Sequence, residues 1–98
     1  MNARLSRWAG LPPERLDQTV RQFEEDHLPT IEGQPGYSGV VVLLDRTSGR
    51  AAAITFWDSD ADMRASDQLA QEARAAAGTT AQAEREPIVD HYEVVLRK

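Results

Sequence analysis

Gly33-Gln34-Pro35-Gly36-Tyr37-Ser38-Gly39-Val40-Val41-Val42-Leu43-Leu44-Asp45-Arg46-Thr47-Ser48-Gly49-Arg50-Ala51-Ala52-Ala53-Ile54-Thr55-Phe56-Trp57 is the stretch that decides the fold. Its first four residues form a turn cluster. Residues 37–45 are then apolar on both parities, with Val40, Val42 and Leu44 on one and Tyr37, Val41 and Leu43 on the other. A strand of that kind is covered on both faces. Arg46-Thr47-Ser48-Gly49 reads as a hairpin loop with a glycine for a left-handed position, and residues 50–57 return as the neighbouring strand. Ala51, Ala52 and Ala53 are poor strand formers. Their smallness predicts either close approach by whatever packs above them or room for a ligand.

Working toward the amino terminus, residues 1–9 alternate small or apolar with polar residues and end at Gly10 and Pro12-Pro13, which predicts a first strand and a turn. From Pro13 the period lengthens: Leu16, Val20, Phe23, His27 with Leu28, and Ile31 recur three or four apart, an amphipathic helix. Pro13 suits its first turn, Asp17 and Arg21 are spaced for an ion pair, and Pro29 predicts its end near Leu28. On the other side of the hairpin, Ser59 is the expected N-cap of a second helix, with Asp62 three residues on. Met63, Leu69, Ala70, Ala73 and Ala76 or Ala77 form its buried stripe, and Gly78 is its expected end. After a polar loop over 79–86, residues 88–96 read as a last strand, with Ile88, Tyr92, Val94 and Leu96 on one face and Val89, His91, Glu93 and Val95 on the other.

The resulting order is β-α-β-β-α-β, a single α+β ferredoxin-like domain over residues 1–98 with a four-stranded antiparallel sheet and two helices on one face. The helices cover one side only, yet the central hairpin is apolar on both. The expected cover for the helix-free face is a second copy of the chain, a homodimer joined sheet to sheet.

Composition narrows the chemistry. The 98 residues carry a net charge of −5 with scattered bases, which argues against a nucleic-acid partner. The absence of cysteine removes disulfides, thiolate nucleophiles and cysteine-held metals. The longest aliphatic run, Val40 to Leu44, is too short for a membrane span. The first residues hold two arginines and no apolar signal core, so the expected location is cytoplasmic. Asp58-Ser59-Asp60-Ala61-Asp62 imitates a calcium loop, but Met63 stands where that loop needs glycine and Leu69 where it needs glutamate. Helix-start acids account for it better, and no metal site is expected.

Gln34-Pro35-Gly36-Tyr37-Ser38-Gly39, an apolar hairpin, and Thr55-Phe56-Trp57-Asp58-Ser59 opening a helix together resemble the antibiotic biosynthesis monooxygenase type of dimeric α+β barrel domain. The likeness runs from Asn2 to about Arg97. It implies a pocket between sheet and helices and, in some relatives, oxidation of polyphenolic rings by dioxygen without metal or flavin. Other relatives degrade haem, with an asparagine on the first strand and a tryptophan and a histidine about nine and nineteen residues after the motif tryptophan. Those positions here hold Ser66 and Ala76, and the first strand offers Arg4, Ser6 and Arg7, so the resemblance disfavours that branch. The function it implies is a cofactor-independent monooxygenase, or related isomerase, on a small aromatic or polyketide-like molecule; the alternative is a non-catalytic ligand-binding or structural module of the same fold.

His27 and His91 are the only imidazoles, and their spacing suits no metal site. Each can be a structural histidine. His91, on a strand expected to be covered on both faces, is the first candidate for proton transfer. Phe23, His27, Tyr37, Trp57 and Met63 are the candidate ligand-binding residues, with core packing as the alternative.

Overall fold

The two-sided apolar run forms one hairpin of a four-stranded sheet. A computed structural model describes residues 1–98, in the order β1 (Asn2–Trp8), α1 (Leu16–Gln22), α2 (Leu28–Glu32), β2 (Tyr37–Asp45), β3 (Arg50–Trp57), α3 (Asp60–Ala65), α4 (Asp67–Ala81) and β4 (Ile88–Glu93). The strands are antiparallel and lie in the order β2-β3-β1-β4, the ferredoxin-like arrangement expected from the sequence. The hairpin loop closes as predicted: Gly49 has φ 71° and donates to the Asp45 carbonyl at 2.9 Å. The Asp45 carboxylate accepts from the Thr47 and Ser48 amides at 3.1 and 3.2 Å. The Gly49 carbonyl then accepts from Leu11 N–H at 2.9 Å, which pins the β1–α1 connection to the hairpin.

Register assigns the faces. Arg4, Ser6 and Trp8 of β1 stand opposite Thr55, Ala53 and Ala51 of β3, and these stand opposite Val40, Val42 and Leu44 of β2. This is the face under the helices. Tyr37 belongs to it as well, against the simple alternation, because a bulge at Ser38 pairs Tyr37 with Trp57 and Gly39 with Phe56. On β4 the pairing of Arg4 with His91 and Ser6 with Val89 puts His91 under the helices.

Four local expectations are corrected. Pro29 does not end the first helix: a π-helical turn, Phe23–His27, takes up the missing N–H, and the proline sits in the first turn of α2, which carries the chain on to Glu32. Asp17 pairs not with Arg21 but with Arg46 across the fold, through two bonds of 2.8 Å. The second helix breaks at Ser66 and passes through Gly78 to Ala81, since burying Ala81 against Leu11 and Leu16 outweighs a helical glycine's cost of about 1 kcal/mol. Gln82, at φ 56°, supplies the left-handed cap. The last strand stops at Glu93 rather than Leu96: Glu93 pairs with Asn2, and beyond it only Met1 is left, whose carbonyl accepts from Val94 N–H at 2.9 Å. Ser59 caps α3 as expected, accepting from the Asp62 amide at 3.1 Å.

The core is divided. Ile31, Trp57, Met63 and Ala73 form one buried cluster, and Leu11, Leu16 and Ala81 form another toward the opposite end of α4. The chain exposes 6083 Å², against roughly 5,600 Å² for a folded protein of its mass. Part of the excess lies on the helix-free face, where Leu43, Ile88 and Tyr92 are 52%, 57% and 53% exposed. Arg97 crosses one edge of that face, 4.7 Å above the Phe56 ring. No helix is long and apolar enough to cross a membrane.

Candidate functional site

Between the two core clusters, under the helices, lies a cavity of about 90 Å³. That is several times the roughly 10–15 Å³ a water molecule needs. Ala70, Ala73, Arg74, Ala77 and Ala81 of α4, with Ser66 at the break before it, form one wall at helical spacing, and Leu16, Thr19 and Val20 of α1 with Phe23 form another. The floor is the sheet, where Ala51 and Ala53 alternate with Thr55 and Trp57. The alanine runs on β3 and α4 thus face each other across open space. Of the two readings of Ala51 to Ala53, open space above them rather than close approach is the one realised.

Trp57 is fully buried and sets the shape of one end. Its indole N–H donates to Thr55 Oγ at 3.0 Å, and its ring meets Tyr37 edge-to-face at 5.9 Å between centroids and 83° between planes. Burial, then the Glu32 carboxylate, pushes the Tyr37 phenol above its ordinary value. Trp8 forms the wall at the other end and separates the cavity from an outer groove that it also lines with Leu44 and Ala51.

The wall carries charge at Arg4 and Arg74, while the Trp8 indole N–H at the other end is a buried donor without a partner. Arg4 is 3% exposed, and its terminal nitrogen reaches the Met63 carbonyl at 2.6 Å, Ser66 Oγ at 3.0 Å and the Asp67 carboxylate. They meet at the helix break, where the Met63 carbonyl also accepts from the Ser66 N–H at 3.1 Å and from Ser66 Oγ at 2.7 Å. The Arg4 guanidinium also lies 5.8 Å from the Trp57 ring centre. Its Nε and Nη1 of Arg74 are buried and have no hydrogen-bond partner in the protein. Burial, then the Arg4 charge, pulls the Arg74 guanidinium below its ordinary value, with Asp67 opposing. Burial pushes the Asp67 carboxyl up, but Arg4, His91 and Arg64 outweigh it and hold the group below the ordinary carboxylate range.

Of the residues singled out in the sequence, Phe23 and Trp57 stand on the cavity wall. Tyr37 and Met63 pack behind Trp57 in the adjoining cluster, and His27 lies half-buried on the π-helical turn, off the wall. His91 is also off the wall; its Nε2 is 3.6 Å from Asp67, so it meets the cavity only through Asp67 and Arg4. Sequence reading missed Arg4 and Arg74. Arg74 was legible in principle, because it falls on the same stripe as Ala70, Ala73 and Ala77. The wall carries no histidine, cysteine, methionine or tyrosine, and so no axial ligand for a haem.

No protein-family model matches the chain. An uncharacterised protein of Mycobacterium tuberculosis, matched in two strains, is 40% identical over 62 residues, which is 62% of this chain and 28% of the relative. The match therefore spans less than a third of the curated relatives' length. Among solved structures, a monooxygenase of Streptomyces coelicolor in complex with nanaomycin D superposes with a TM-score of 0.76 at 14% identity, over 99% of this chain and 92% of that one. A haem-degrading protein of M. tuberculosis, solved with two haems in its active site, gives 0.68 at 20% identity over 100% and 99%. A Deinococcus radiodurans protein provisionally named an antibiotic biosynthesis monooxygenase gives 0.71 at 16% identity over 100% and 96%. Identities this low establish the fold: the chain has the antibiotic biosynthesis monooxygenase-like fold.

Proposed function

We propose, from the fold shared with these oxygenases and the cavity under its helices, that the chain is a cofactor-independent monooxygenase acting on a small aromatic or polyketide-like molecule. The observation that carries this reading is the apolar cavity, walled by Trp57, Phe23 and facing alanines, with the buried Arg4 and the half-buried Arg74 at its charged end. An electron-rich ring methylene that loses a proton becomes a carbanion, which adds dioxygen; the resulting hydroperoxide loses water and leaves a carbonyl. The substrate supplies all four electrons, so the step needs no outside reductant. The protein's part is to stack the ring, exclude water and stabilise the oxyanion of the enolised substrate. We assign His91 as the candidate proton-accepting group, linked to the cavity by Asp67 and Arg4, and Tyr37 and Met63 as the residues that hold Trp57 in place. His27 has no assigned part in the step.

A second reading is supported by the wall itself, which holds no imidazole, carboxylate or phenol. On that reading the chain binds a small aromatic ligand without turnover. Oxygen uptake with a panel of quinols and anthrones separates the two. The oxygenase reading expects uptake by the parent, loss of it in Ala53→Leu, which fills the cavity, and slower uptake in His91→Ala. Binding of the same compounds without uptake selects the second reading, and unchanged rates in His91→Ala remove that residue from the reaction.

Under either reading we propose that the chain is a homodimer through the helix-free sheet face, supported by the exposure of Val41, Leu43, Ile88 and Tyr92 together on that face.

A further inference from the structure

We propose that the polar end of the cavity is a receptor for one anionic oxygen group, so that the ligand is a monoanionic aromatic, bound with its carboxylate or phenolate oxygen against Arg74. This rests on the reading of the cavity as a ligand site and adds the charge its ligand must carry.

Arg74 lies on the cavity stripe of α4 with Nη1 buried and unpartnered, and Arg4, itself 97% removed from solvent, leaves Nε in the same condition. An arginine does not escape such a position by losing its proton, so the unmet donors persist as charged donors. Arg4 already spends its terminal nitrogen on Met63, Ser66 and Asp67. Arg74 has no acceptor of its own among the protein's hydrogen bonds, and the charged groups acting on it are Arg4 and Asp67. The Asp67 carboxylate that faces these two guanidinium charges is shared with His91 and Arg64, so this end is net positive, inside a chain whose net charge is −5.

The remaining wall, with Val42, Ala53, Phe23 and Trp57, offers apolar surface and no further charge. An apolar body with one negative oxygen group at its edge complements both parts. The anion would give the buried donors a charged acceptor, in surroundings where such bonds are stronger than in water. A neutral ligand of the same shape would bury its apolar surface equally but leave the excess charge in place. Because the outer field of the chain repels anions, the preference must arise from contact at Arg74 and not from steering.

The test is a pair of isosteric probes, α-naphthoate and α-naphthamide, titrated into the full chain by calorimetry while NMR follows the indole N–H signals of Trp8 and Trp57, the only tryptophans and both on the wall. The expected result is that naphthoate binds about ten-fold more tightly than naphthamide, the scale of one charge-assisted bond, and shifts the indole signals. Arg74→Met should abolish the preference and Arg74→Lys should keep most of it, with melting curves confirming that both variants fold. Equal binding of the two probes, or a preference that survives Arg74→Met, overturns the anion proposal and leaves the cavity reading standing. Failure of both probes to bind overturns the two together.

Discussion

The guanidinium of Arg4 on the first strand bonds to Ser66 Oγ at 3.0 Å, at the break between α3 and α4, 62 residues away in sequence. The same nitrogen holds the Met63 carbonyl and the Asp67 carboxylate, so one side chain satisfies the polar groups that the helix break exposes to the interior. Removing it in Arg4→Met leaves the Met63 carbonyl and Ser66 to each other and Asp67 to solvent. The expected loss is about 2 kcal/mol, within the range for bonds to a charged group, read as a lower urea midpoint at unchanged slope.

Acid should weaken the fold through the same cluster. Asp67 is held below its ordinary value of 3.8, as are Asp17 by its bond to Arg46 and Asp45 by its bonds to Arg50 and Ser48. A carboxyl lowered in the folded state binds fewer protons there than in the unfolded chain. Its contribution is therefore complete above the unfolded value and is lost as pH falls through the folded one. Urea midpoints measured from neutral pH downward should be flat until about pH 4 and then decline. In Asp67→Asn the decline should be shallower and the starting midpoint lower; an identical acid limb would assign no part of it to Asp67.

Ala53 stands on the sheet floor of the cavity, opposite Ser6 and Val42 and below α4. Ala53→Leu should occupy that space, raise stability by about 0.5–2 kcal/mol and remove aromatic binding. A destabilised variant would mean that the space is smaller than a leucine side chain.

Gly49 is needed for a close approach as well as for its positive φ. A Cβ at this position would overlap the Leu11 carbonyl oxygen, a backbone atom held by the Leu11–Gly49 bond. Gly49→Ala should therefore cost more than the roughly 1–2 kcal/mol of a left-handed alanine alone. Gly10→Ala is the control, because its φ is 67° and no atom lies within 4 Å of the added Cβ. Thermal unfolding should rank the parent above Gly10→Ala, and Gly10→Ala above Gly49→Ala.

Leu43 on β2 is 52% exposed on the face without helices. If that face joins two copies, sedimentation at micromolar concentration shows a dimer for the parent and a monomer with the same far-ultraviolet spectrum for Leu43→Glu. A monomeric parent contradicts the proposed interface.

The element order, the hairpin and the Ser59 cap were legible in the chain, because hydrophobic period and turn chemistry act over a few residues. So was the two-sided apolarity of β2, although the Ser38 bulge changed which side Tyr37 takes. The ends of elements were less legible. Pro29 and Gly78 carry strong local stop signals, and in both cases distant packing, of Ile31 in one core cluster and Ala81 in the other, carried the helix past them.

The site divides in the same way. Composition and pattern alone determined an α+β domain with a thin core, no cysteine chemistry and small residues on both sides of its interior. That those alanines face one another across a cavity, that His91 lies under the helices behind Asp67, and that Arg4 and Arg74 turn inward was decided by register and by the crossing of α4 over the sheet. Such juxtapositions join residues about 20 to 70 apart in sequence, over which local periodicity carries no information. Only the closed tertiary structure brings two scattered arginines, read in the sequence as part of a diffuse surface charge, to one end of an apolar cavity.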